Sequence, residues 1–217
     1  MIKSTLRTLA IAGICSSMLS ACLPLVAGGI GTGVSSTLDR RTYSTQIDDQ
    51  QIEVRVMKQL NDRLDEKVQI STTAFNHWVL LTGQATTDEY RAEAEKYART
   101  TSGVRQVFNE VTVGWPATAG THGRDALTTS KVKARLFDTE TRGISGHHVK
   151  VVTESGIVYL MGIVSEAEAN IAIEIARTTT GVNKVVNLFE VLSDEEIRKL
   201  SQPPEKGPAP VVSPPRS

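Results

Sequence analysis

The sequence predicts an α+β fold made of two copies of one small module, on three observations. Residues 79–113 and 158–191 repeat the same order of apolar strand, glycine, helix, glycine and strand. Gly83 answers Gly162, and Ala98-Arg99-Thr100-Thr101-Ser102-Gly103-Val104 answers Ala176-Arg177-Thr178-Thr179-Thr180-Gly181-Val182. Upstream of each copy, Val56 and Leu60 correspond to Val132 and Leu136, which adds a preceding helix to both. A repeat of this length means duplication of a supersecondary unit.

The elements of each copy follow in order. Ile52, Val56, Leu60 and Leu64 recur every four residues, the period of one helix face, with Asp48 and Gln51 as its expected cap. Val68-Gln69-Ile70-Ser71 and Trp78-Val79-Leu80-Leu81 read as strands joined by a turn at Asn76-His77. Thr86 with Glu89, and Ser165 with Glu168, have the spacing of capping boxes that open the second helix of each module. Gly103 and Gly181 are expected at positive φ, closing those helices, and a β-rich strand follows each. The result is αββαβ: two helices on one face of a three-stranded mixed sheet, the hairpin antiparallel and the helix-linked strands parallel.

The Val-x-Leu-x-Gly step at Val79–Gly83 and Val158–Gly162, together with the Gly-Val before each last strand, resembles the BON domain. The resemblance covers residues 46–114 and 124–193 and implies two tandem BON domains. It brings no catalytic residues with it.

The first 21 residues read as an export signal. Lys3 and Arg7 precede an apolar run from Leu9 to Leu19, too short to cross a bilayer, and Leu19-Ser20-Ala21-Cys22 resembles a bacterial lipobox. That likeness implies a covalent lipid on Cys22. Leu23 next to it, rather than Asp, implies sorting to the outer membrane, facing the periplasm. Residues 22–45 are rich in Gly, Ser and Thr and read as a tether. Residues 115–123, with Pro116, Gly120 and Gly123, read as a linker. Residues 194–217 read as a short helix capped by Ser193 and Glu196, followed by a tail holding six of the chain's eight prolines.

Several function classes are disfavoured. The chain carries 24 basic and 24 acidic side chains, so no global field steers it to nucleic acid, and its aromatics are not interleaved with basic runs. The cluster Gly28-Gly29-Ile30-Gly31-Thr32-Gly33 follows no strand and lacks dinucleotide-binding spacing. His77, His122, His147 and His148 do not repeat between modules. Adjacent His147-His148 on a strand would point to opposite faces, and no metal or cofactor site is expected.

Charge separates the two modules where the fold unites them. The first helix of module one sets Asp48, Asp49, Glu53 and Asp62 against Arg55, Lys58 and Arg63, a net of −1. Residues 124–137 set Arg124, Lys131, Lys133 and Arg135 against Asp125, a net of +3. If Thr128, Val132 and Leu136 face the core, Leu127, Lys131 and Arg135 form an exposed stripe suited to an anionic headgroup layer. With the lipobox, the two domains resemble dual-BON outer-membrane lipoproteins of Gram-negative bacteria. That resemblance implies binding of anionic phospholipid by the second domain and maintenance of envelope integrity. A periplasmic adaptor for envelope assembly or peptidoglycan-remodelling machinery is the other reading.

Overall fold

Ile52, Val56, Leu60 and Leu64 are all buried on one face of a single helix, α1 (Tyr43–Leu64), as their spacing predicts. The computed structural model describes residues 39–138 and 143–201. The expected signal segment 1–21, Cys22, the stretch read as tether as far as residue 38 and the Pro-rich sequence from residue 202 lie outside the described residues.

A single 3₁₀ turn (Asp65–Lys67) leads from α1 to β1 (Val68–Phe75), which pairs antiparallel with β2 (Trp78–Ala85). Asn76 and His77 both take positive φ, 50° and 66°, the conformation of a two-residue turn whose twist matches that of its strands. Helix α2 (Asp88–Arg99) crosses back, and β3 (Gln106–Val113) pairs parallel with β2. Module two repeats the plan: α3 (Ala119–Phe137), β4 (Val149–Glu154), β5 (Ile157–Val164), α4 (Glu166–Arg177) and β6 (Lys184–Val191). Each sheet is mixed, with the hairpin's second strand at its centre.

The central strands are buried on both faces, which explains their near-continuous apolar runs. Val79, Leu81 and Ala85 point to the helices of module one, while Val158, Leu160 and Val164 do the same in module two. The alternate residues face the other way. Leu80 and Phe75 meet Tyr159, Met161, Ile163 and Leu188, with Trp78 and Phe108 packed beside them. The two sheets therefore lie back to back with the helices outside, a four-layer α/β/β/α arrangement. A last helix, α5 (Asp194–Ser201), opens with the expected Ser193–Glu196 capping box and adds Ile197 to this interface.

The repeated glycines of the Val-x-Leu-x-Gly step sit inside strands. A Cβ on Gly83 would lie 2.0 Å from the Gln69 carbonyl oxygen, and one on Gly162 would lie 2.3 Å from that of His148. Only glycine lets the neighbouring backbone come so close. Gly103 and Gly181 close α2 and α4 at φ 92° and 102°, as predicted.

Several boundaries differ from the sequence reading. Helix α1 begins at Tyr43, inside the stretch read as tether, because the Thr42 hydroxyl accepts the Thr45 N–H at 3.2 Å; Asp48 is within the helix and caps nothing. Helix α3 begins at Ala119, inside the stretch read as linker, capped by Thr118, so Gly120, His122 and Gly123 are helical. The cap of α2 is Thr87 rather than Thr86, whereas Ser165 and Glu168 form a complete capping box on α4. His147 and His148 lie in a 3₁₀ turn (Gly146–His148), not in a strand, because the Ser145 hydroxyl accepts the His147 N–H and starts a turn there.

Candidate functional site

Helix α3 presents the stripe that the sequence singles out, in altered form. Thr128, Val132 and Leu136 are buried beneath it, so the neighbouring positions face outward. Leu127 is 64% exposed, and Lys131 and Lys133 are exposed along the same helix. Arg124, one turn before Leu127, donates to the Thr121 hydroxyl at 3.1 Å and keeps the rest of its guanidinium outward. Among the described residues no ion pair engages Arg124, Lys131 or Lys133.

Arg135 differs from the others. Its Nη1 donates to the Ile175 carbonyl and the Thr179 hydroxyl, both at 2.7 Å, and its Nη2 donates to the Thr178 hydroxyl at 3.0 Å. The guanidinium thus satisfies one carbonyl of the last turn of α4 and two hydroxyls just beyond it, where a cation also complements the helix dipole. Three of its five N–H donors are engaged within the fold, and it is only partly exposed.

Beside Leu127 runs an open groove of about 600 Å³, lined by Thr121, Arg124, Leu127, Lys131, Ser155 and Asn183. The hairpin turn and the Gly181 loop form its far wall, so Asn183 joins residues more than fifty positions earlier in the chain. Sequence reasoning missed Ser155 and Asn183. The one available signal was the repeat: Ser155 corresponds to the turn residue Asn76, and Asn183 follows the Gly-Val that ends α4.

The groove's shape depends on Asp125. This carboxylate is 6% exposed and accepts the backbone N–H groups of Ser155 and Gly156 at 2.8 and 2.9 Å, fixing the turn against α3. Among the described residues, no group of three or more His, Cys, Asp or Glu is placed to hold a metal, and no helix is long and apolar enough to cross a membrane. The arrangement offers cations, hydroxyls and an amide around one exposed apolar side chain.

The family model of the BON domain matches residues 48–114 and 124–193. The chain is 32% identical over 194 residues to Outer membrane lipoprotein DolP of Haemophilus influenzae, covering 88% of this chain and 100% of the relative. It is 36% identical over 154 residues to the 21 kDa hemolysin of Actinobacillus pleuropneumoniae, covering 70% of this chain and 78% of that one. It is also 32% identical over 161 residues to Osmotically-inducible protein Y of Escherichia coli, covering 72% and 78%. With two matched domains spanning more than half its length, and a relative matched from end to end, the chain belongs to the BON domain family as a dual-BON protein of the DolP type.

Proposed function

We propose that the protein is a non-enzymatic lipoprotein of the outer membrane, anchored through Cys22 and facing the periplasm, that binds anionic phospholipid through its second BON domain and so supports envelope integrity. The observation that carries this reading is the 64% exposure of Leu127 beside Arg124 and Lys131, which make no ion pair among the described residues. A leucine there can enter the shallow acyl boundary while each cation near an anionic surface contributes about 1 kcal/mol. The similarity to a relative named Outer membrane lipoprotein supports the same localisation.

Module one lacks the combination. The matching positions on α1 give a net charge of −1, and Arg55, the counterpart of Lys131, donates to Gln51 and to the Ser102 carbonyl. Flotation of the chain with vesicles, with and without anionic lipid, tests the proposal. Co-flotation that requires anionic lipid supports it. Failure to float with either composition overturns it and favours the adaptor reading. That reading draws on a different observation: Tyr43, Ile47, Val54 and Met57 form an exposed apolar line along the outer face of α1.

A further inference from the structure

Two entry segments cross between the modules. The segment leading into module one sends Arg40 across to module two, where its Nη1 donates to the Ile163 carbonyl at 2.8 Å and its two terminal nitrogens grip the Glu168 carboxylate at 2.7 Å each. The segment leading into module two does the reverse, because the Ala117 N–H donates to the side-chain oxygen of Gln84 in module one at 2.9 Å. Gln84 and Ile163 are equivalent positions, each directly after the repeated glycine, so the exchange follows the duplication.

The Arg40 contact is the stronger of the two. The side chains of Arg40 and Glu168 are 8% and 11% exposed. The fork is bidentate, and the same carboxylate accepts the Ser165 N–H at 2.8 Å, so it serves the α4 cap and the arginine together. Arg41, the next residue, holds the near side: it donates to Asp49 of α1 at 2.8 Å and lies 3.9 Å over the Phe75 ring. Asp39 braces Arg41 in turn. Consecutive arginines thus reach one module each.

We propose that Asp39–Arg41 is an interdomain clasp, in which module two provides a binding site for Arg40, built from Glu168 and the Ile163 carbonyl, that holds the segment entering module one across both modules. A buried guanidinium without its carboxylate is strongly disfavoured, and Arg40 Nε already lacks a partner. Removing the charge at residue 168 therefore expels residues 39–41 from a distance, with no change made in the segment itself.

Trypsin reads this directly, because the clasp hides two arginyl bonds. In the full-length chain, Glu168→Gln keeps an oxygen for the Ser165 N–H but weakens the grip on Arg40. Cleavage after Arg40 and Arg41, followed by mass spectrometry, should accelerate at least tenfold relative to wild type, while cleavage after the exposed Arg99 is unchanged. Ser165→Ala removes the α4 cap without touching Arg40 and should leave cleavage at Arg41 at the wild-type rate. Equal rates at Arg41 in wild type and Glu168→Gln overturn the clasp. So does acceleration by Ser165→Ala as large as that by Glu168→Gln, which would mean that loosening α4 alone releases the segment.

Discussion

Asp49 in α1 holds His77 across twenty-eight positions of sequence, its Oδ1 accepting the His77 backbone N–H at 2.8 Å while Oδ2 accepts that of Asn76 at the same distance. Asp125 does the same for Ser155 and Gly156. In both modules a buried aspartate on the first helix takes the two donors of the hairpin turn. These N–H groups belong to residues at positive φ and would otherwise depend on water.

The first prediction concerns that clamp. Asp125→Ala leaves two turn N–H groups without their charged acceptor, each such bond contributing about 1.5–3 kcal/mol. Loss of roughly 3 kcal/mol in urea denaturation is expected, with Asp125→Asn intermediate because it keeps one acceptor oxygen. A loss below about 1 kcal/mol for the alanine variant would show that the clamp contributes little.

The second prediction separates two kinds of glycine. Gly83→Ala places a methyl 2.0 Å from the Gln69 carbonyl, in the middle of a paired strand, so the sheet must open; loss of about 3 kcal/mol or more is expected. Gly103→Ala meets only side chains, Ile52 at 3.3 Å and Arg55 at 3.6 Å, so its cost, about 1–2 kcal/mol, comes from the positive φ that it shares with Gly83. Thermal melts that rank the two in the opposite order would contradict this account.

Much of this was legible in the sequence and some was not, for a physical reason. The repeat, the antiparallel pairing within each hairpin, the closing glycines and the buried face of each first helix follow from periods of two and four residues and from local backbone rules, whereas the order of the three strands does not. Asp49 and Asp125 looked like ordinary helix charges, because their partners are 27 to 31 residues away and no local spacing points to them. The same holds for Arg135, whose cation counts toward a basic helix face in the sequence but closes α4 in the fold. Helix starts were misplaced where Thr42 and Thr118 outcompete later candidates and where Gly120 and Gly123, weak helix formers, are carried by the helix around them.

The third prediction is a pH dependence. Burial opposes ionisation of Glu168, but His148, the Arg40 fork and the Ser165 N–H outweigh it and hold the carboxyl well below its ordinary 4.5. Arg40 carries more weight than His148, whose Nδ1 stands 3.6 Å from the carboxylate, beyond hydrogen-bond range. A carboxyl depressed on folding contributes stability that is fully present above about pH 4.5 and fades as the pH falls towards its folded value. The stability difference between wild type and Glu168→Gln, measured in urea, should be largest near neutrality and shrink below pH 4.5. A difference that is constant from pH 7 to pH 3 would remove the carboxylate from the explanation.

The last prediction tests the proposed lipid-facing stripe, and the fold changes which residues should matter. Leu127→Glu replaces an exposed apolar side chain with a charge that anionic headgroups repel, yet touches no core residue; it should abolish flotation with anionic vesicles while the melting temperature holds. Lys131→Glu should weaken binding by at least tenfold, and rising salt should weaken wild type in the same direction because exposed charges are screened. Arg135→Gln is expected to do the reverse: its guanidinium is bound to Ile175, Thr178 and Thr179, so the variant should lose stability at the end of α4 and keep most of its vesicle binding. Arg55→Glu on module one should leave binding unchanged. Binding retained by Leu127→Glu would sink the site, and binding lost in Arg135→Gln at unchanged stability would return that arginine to the headgroup layer.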